Sequence, residues 1–383
     1  MNNPASDEFP ALVGRFERWL MDQALPLWAE RGLDRSQGGF FDLVDLQGQS
    51  VAGQRRGRVQ GRQAWVFALA GVMGWQGPWK DVVERGLEFA LARRRADGQL
   101  PALFAGDGGV LDPTATLYDQ TFFLLALAEA RKRFPDRHDL VDAAHRIYQA
   151  TVGTRRNQAG GFRESAEQVF QSNPHMHLLE AALAWAAVEP GGVWDALGDE
   201  MVQLGITRLM DGNGAIREFY DAQWRPVAGA AGRSVEPGHQ FEWAWLLARW
   251  AKLHGNTHAD KAARRLFEIG MKGVDSERGV AMDELDDQFH PVRRTARLWP
   301  QTERLKSALA FMAASEGAAR LYYRRDALAA TKTLWRYLET PMPGLWRDRM
   351  LPDGSFVEEP SPASSFYHII CAIQVMRETI RAD

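Results

Sequence analysis

Residues 234–250, SVEPGHQFEWAWLLARW, set a histidine and a glutamate three residues apart at the head of a run otherwise almost free of charge. An imidazole titrates near neutrality, and a carboxylate one turn away can orient it and choose its tautomer, which is the equipment of general acid–base chemistry. At about 100° per residue, His239, Glu242 and Trp245 form one contiguous helical stripe, so the indole offers an apolar wall suited to a sugar ring. Taken alone, a histidine near a helix start bonded to a carboxylate is a structural feature. The arrangement recurs, however. Gln60 and Arg62, Tyr118 and Asp119, His177 and Glu180, Trp299 and Glu303, and Phe366 with His368 all stand at or near the start of apolar helical runs. Recurrence at corresponding positions favours a shared functional role.

Within QRRGRVQGRQAW, Arg55 and Arg56 read as a solvated basic loop, whereas Arg62 opens an apolar run and would present a guanidinium able to bind sugar oxygens or an enediolate. Lys306 is compatible with a surface end or with an ion pair to Glu303. The stretch SNPHMHLLEAALAW invites a metal reading, but residues two apart on a helix point about 200° from each other, so His175 and His177 are poorly placed to share an ion. The pattern H-E-x-x-H is absent. Neither a metal nor another cofactor is expected. Pro174 is placed in the first turn after a Ser172 or Asn173 cap, with His175 bracing the loop.

Helical periodicity dominates, with about twelve helices beginning near residues 9, 60, 79, 114, 138, 174, 193, 238, 257, 300, 318 and 364 and no long strand. Turn-rich segments marked by Gly38, Gly98, Gly160, Gly212, Gly279 and Gly344 recur about every sixty residues, the length of a helical hairpin and its loop. Amphipathic, charged helices such as 81–95 and 258–272 alternate with nearly uniform apolar ones such as 62–75 and 177–188. Wet helices outside and dry helices inside predict an all-α (α/α)6 barrel forming one domain, 1–383. If the inner helices run the same way, their N-termini share a rim whose dipoles favour developing negative charge.

The 383 residues are 45% hydrophobic and 25% charged with a formal net charge of -3, enough for a large core and without a basic arm for nucleic acid. The single cysteine, Cys371, excludes an internal disulfide framework and reads as core. No segment reads as a secretion leader or membrane span, so a cytoplasmic, soluble protein is expected, a monomer or homodimer without nucleic-acid or membrane partners.

Arg62, H177-L-L-E-A, G-H239-Q-F-E-W-A-W, W299-P-Q-T-E and F-Y-H368, in that order, resemble the N-acylglucosamine 2-epimerase superfamily, most closely its bacterial mannose isomerase branch. The resemblance spans essentially the whole chain. It implies an (α/α)6 barrel that acts on unmodified aldoses without a metal. It further implies catalytic roles for His239 and His368 with Arg62 and Glu242, and pocket roles for His177, Trp245, Trp299 and Glu303; Glu180, Tyr118, Asp119 and Phe366 are expected in the same pocket from their positions at or near helix starts. The expected reaction interconverts D-mannose and D-fructose, with D-lyxose and D-xylulose as further substrates. A 2-epimerase acting on a free aldose or N-acylhexosamine shares the same enediolate intermediate and is the nearest rival. A glycoside hydrolase would use two acids such as Glu242 and Glu303, and a sugar-binding protein would use the tryptophans alone.

Overall fold

The computed structural model describes residues 8–165 and 170–382. Its helices are α1 (Glu8–Arg18), α2 (Leu25–Arg31), α3 (Gly57–Val72), α4 (Trp79–Ala92), α5 (Leu117–Arg133), α6 (His138–Arg155), α7 (Ser172–Ala186), α8 (Val193–Leu204), α9 (Pro237–His254), α10 (Thr257–Lys272), α11 (Leu298–Ala313), α12 (Gly317–Leu338) and α13 (Ala363–Ala382). A π turn, Trp19–Ala24, carries α1 into α2 without a break. The described residues therefore make twelve rods, each starting within three residues of its expected position. Every strand among the described residues is only two or three residues long. No described helix is long and apolar enough to cross a membrane.

The chain divides into two compact units. Arg31–Leu43 and Ser50–Ser234 form the first, in which α3, α5 and α7 pack side by side and are backed by α4, α6 and α8. Val44–Gln49 and Val235–Asp383, with the N-terminal stretch to Glu30, form the second, in which α9, α11 and α13 pack side by side and α10 and α12 back α9 and α11. The reason for the layering is compositional. Helices such as α3 and α11 bury nearly every residue of their first three turns, while α4 buries only the stripe Val82, Val83, Gly86, Leu87, Phe89 and Ala90.

The repeat has a physical signature at the start of the inner helices. The fourth residue of α3, α5 and α11 is a glutamine whose amide both accepts from and donates to the backbone of the residue twenty positions earlier. Gln60 clips Phe40 at 2.7 and 3.0 Å, Gln120 clips Leu100 at 2.7 and 3.0 Å, and Gln301 clips Ala281 at 2.8 and 2.9 Å. In α7 the fourth residue is His175, which accepts from Phe162 N–H at 2.9 Å through Nε2 and lies 2.7 Å from the Gln171 carbonyl through Nδ1. Each clip satisfies buried loop backbone groups that would otherwise lose their hydrogen bonds to water. The loops themselves turn through positive φ at Gly38, Gly98, Gly160, Gly279 and Gly344, and at Gly214 in place of the expected Gly212.

Two local expectations are corrected. Helix α7 starts at Ser172, with Gln171 as the flanking residue, so Ser172 and Asn173 are helical and do not cap it. Arg55 is not solvated: it is 1% exposed, 2.5 Å from Asp34, and bonded to the Gly38 and Gly106 carbonyls. Arg56 pairs with Asp42. The short strand pairing of Arg55–Arg56 with Leu103–Phe104 carries this basic pair inward, a long-range event that its local composition does not announce.

The inner helices of the first unit approach closely where Gly61 faces α5: a Cβ there would lie 2.6 Å from the Phe122 carbonyl oxygen. Gly61→Ala is expected to lower stability by about 1–3 kcal/mol through overpacking, measured by denaturant unfolding at unchanged m-value.

Candidate active site

Counting from the start of each inner helix, the sixth residues are Arg62, Phe122, His177, Glu242, Glu303 and His368. Two residues after the clip, about 200° round the helix, the side chain faces away from the clipped loop. Within each unit these sixth residues meet.

In the first unit, the Arg62 guanidinium lies 3.9 Å from the Phe122 ring centre and donates to the Tyr118 hydroxyl at 2.8 Å. His177 packs against both rings, 4.5 Å from Phe122 and 5.5 Å from Tyr118 between centres, and its Nδ1 is 3.3 Å from Glu180. Arg62, His177 and Glu180 are all buried. Asp119 has a different job: with Thr116 it forms a reciprocal cap, Asp119 N–H donating to Thr116 Oγ1 at 3.0 Å and the hydroxyl donating back to the carboxylate at 2.6 Å. It also accepts from the Arg58 N–H at 3.2 Å, tying the starts of α3 and α5 together. Burial raises its pKa, opposed by the Arg58 charge. Glu164, which sequence reasoning passed over, accepts from Tyr118 N–H at 3.2 Å. Loss of water around its carboxyl, reinforced by the Asp119 charge, pushes its pKa up to about 7.

In the second unit, His368 Nδ1 is 2.8 Å from Glu303 Oε1, and Glu303 Oε2 is 2.6 Å from the Lys306 ammonium. Glu303 and Lys306 are fully buried. The indole of Trp299 lies beside two imidazoles, with centres 4.9 Å from His239 and 5.6 Å from His368. His239 Nδ1 is 3.7 Å from Glu236, which also pairs with Arg297 at 3.2 Å. Glu242, the sixth residue of α9, joins Glu303 and His368 in a group whose ligating atoms all lie within 4.8 Å of one another. That set has the donors and spacing to hold a cation. The Lys306 ammonium already supplies positive charge against one of its carboxylates.

Trp245 and Phe366 lie elsewhere in the second unit. Trp245 carries the Lys306 ammonium 3.9 Å from its ring centre and Arg249 at 4.6 Å. Phe366 is buried against Trp28 and Trp346, in line with its fourth position in α13, where other inner helices carry the clip. Glu236 was identifiable only from its position three residues before His239. Glu164 gave no local signal, because its partner Tyr118 is 46 positions away.

The raised carboxyls make a stability prediction. A carboxyl whose folded pKa exceeds its unfolded value binds its proton more tightly when native, so the native state is favoured at low pH and loses that advantage as pH rises through the folded pKa. For Glu164 the loss falls between the ordinary glutamate range and about 7. Glu164→Gln is expected to flatten the decline in melting temperature over that window, measured by thermal unfolding from pH 5 to 8.

Residues 39–372 match the sequence profile of the family described as N-acylglucosamine 2-epimerase (GlcNAc 2-epimerase). The chain is 44% identical over 377 residues to a protein of Rhizobium meliloti (strain 1021) named mannose-6-phosphate isomerase, covering 96% of this chain and 97% of that one. It is 25% identical over 325 residues to the D-mannose isomerase of Pseudomonas cannabina pv. alisalensis, covering 77% of each. A solved D-mannose isomerase superposes with a TM-score of 0.86 at 19% identity, covering 99% of this chain and 100% of the other. That likeness shows the fold, which is of the (α/α)6 class expected from the sequence. With a family match that spans five inner helices and the first half of the sixth, the chain belongs to the N-acylglucosamine 2-epimerase family of sugar isomerases and epimerases.

Proposed function

We propose that the protein is an aldose–ketose isomerase converting D-mannose to D-fructose, with D-lyxose to D-xylulose as the five-carbon counterpart. The observation that carries this reading is the pair of imidazoles, His239 and His368, beside one indole, with His368 Nδ1 on a buried carboxylate. Opening the pyranose requires a proton for the ring oxygen and removal of one from the anomeric hydroxyl. His239, with the Glu236 carboxylate near its Nδ1, serves that step. The open aldehyde then loses its C2 proton to His368. With Nδ1 donating to Glu303, the lone pair sits on Nε2, where it can accept the C2 proton. The electrons delocalise into a cis-enediolate, and return of the proton to C1 gives the ketose. Glu242 is assigned to the proton transfers among the substrate oxygens. The Trp299 face is assigned to the apolar side of the sugar.

The unphosphorylated sugar is favoured by the charge balance of the second unit. A phosphate needs cations that are not already neutralised. Here Arg297 pairs with Glu236 and Asp283, and Lys306 pairs with Glu303. The name of the 44% identical relative makes D-mannose 6-phosphate the necessary comparison. A 2-epimerase reading has one specific support: the second imidazole beside Trp299 supplies a candidate group for returning the proton to the opposite face of C2.

Incubation with D-mannose in D2O, followed by NMR, is expected to give fructose bearing deuterium at C1. Glucose or N-acylhexosamine epimers as the main product would replace the isomerase reading with the epimerase one, and a higher kcat/KM for D-mannose 6-phosphate would overturn the substrate assignment alone. His368→Asn is expected to lower kcat by about a thousandfold, the scale of a lost general base. Exhaustive dialysis against EDTA is expected to leave the rate within about twofold, since no step assigned above uses an ion. Arg62→Ala, assayed in parallel, decides the role of the cluster in the first unit; unchanged kcat/KM removes Arg62 from the reaction.

A further inference from the structure

Lys306 is a buried titratable group that the chemistry above does not use. A lysine side chain with no exposure is unusual, because its ammonium must replace its entire hydration shell with protein contacts. Groups from three helices provide them: Glu303 of α11 at 2.6 Å, the Trp245 face of α9 at 3.9 Å and the Cys371 sulfur of α13 at 3.8 Å. An ammonium paired with a carboxylate on one side and an aromatic face on another is favoured over a neutral amine.

Three residues before Lys306, Glu303 belongs to a crowded acidic group. Glu303, Glu242 and His368 hold their ligating atoms within 4.8 Å of one another. Two carboxylates that close in a dry interior repel each other, and the ammonium 2.6 Å from Glu303 Oε2 offsets that repulsion. A protonated Glu303 would become a donor toward His368 Nδ1 and would force the neutral imidazole to carry its hydrogen on Nε2. We propose that Lys306 is a positioning residue: its ammonium keeps Glu303 a carboxylate, so that Glu303 accepts from His368 Nδ1 and leaves Nε2 as the basic nitrogen. Lys306 thereby fills, with a fixed charge, the electrostatic role that a metal ion would play among the same three side chains. The link to catalysis rests on the reading of His368 as the C2 base. The His368 tautomer depends on Lys306, Glu303 and Glu242, whatever the substrate.

The test uses the full-length protein labelled with 15N in histidine and lysine. In the wild type, long-range 1H–15N correlation between pH 7 and 9 is expected to show His368 as the Nδ1–H tautomer and Lys306 as a protonated amine. A neutral Lys306 or an Nε2–H imidazole overturns the proposal without any substitution. Lys306→Met, which keeps the length and apolar stem, is expected to move the His368 proton to Nε2. It is also expected to lower kcat for D-mannose by about a hundredfold or more with KM within about threefold, the range of a displaced general base. A purely structural lysine would alter the melting temperature but not the tautomer, so Lys306→Met with the wild-type 15N pattern overturns the proposal even if it is less stable. If the wild type isomerises no sugar, the functional reading fails while the tautomer measurement still decides the role of Lys306.

Discussion

Buried helix beginnings impose the constraint from which the rest of this architecture follows. An inner helix that starts in the protein interior leaves backbone N–H groups and loop carbonyls away from water, and each must find a partner. Here the fourth residue of the helix reaches back to the preceding loop: Gln60, Gln120 and Gln301 each make two bonds to one backbone residue, and His175 uses both ring nitrogens. The clip fixes the rotation of the helix about its axis. In the first unit all three inner helices carry the clip, and their sixth residues, on the other side, become neighbours; in the second unit α11 carries it, and Glu303 meets Glu242 and His368.

The two units use this placement for opposite electrostatics. In the first, Arg62 rests on Phe122 and reaches Tyr118, so a cation is held by aromatic faces and a phenol. In the second, Glu242, Glu303 and His368 gather two carboxylates and an imidazole, and the excess negative charge is met from below by a lysine one turn further along α11. The same register therefore places an arginine on aromatic faces in one unit and an imidazole on a buried carboxylate in the other. Trp299 extends the second arrangement by bringing His239 of α9 alongside His368 of α13. The glycine before His239 belongs to that arrangement, because a Cβ at Gly238 would lie 2.5 Å from the Trp299 ring.

Family membership and reaction outcome rest on different foundations. The match over residues 39–372 identifies the family, whose chemistry includes both epimerisation and aldose–ketose exchange. On the mechanism proposed above, both reactions share an enediolate and differ in where the proton returns, so discrimination would reside in the angular placement of basic nitrogens about one intermediate, a property finer than residue identity.

Much of this molecule is determined by local sequence. The twelve rods and their alternation of wet and dry follow from apolar periodicity, because burial on one stripe or all round is encoded in the spacing of side chains along each helix. The positions of Arg62, His177, His239, Glu242, Glu303 and His368 at helix starts are equally legible, as are the glycines that turn the loops. What only the tertiary structure decided is which of these groups share an environment. Arg55 looked solvated until strand pairing took it to Asp34; Lys306 was as compatible with the surface as with Glu303 until α9 and α13 closed over it. His368 meets Glu303 across 65 residues, and Glu164 meets Tyr118 across 46. Periodicity reports which face of a helix is dry, but the dielectric around a charge and the partner that fixes a tautomer are set by segments far apart in the chain, and those distances exist only after folding.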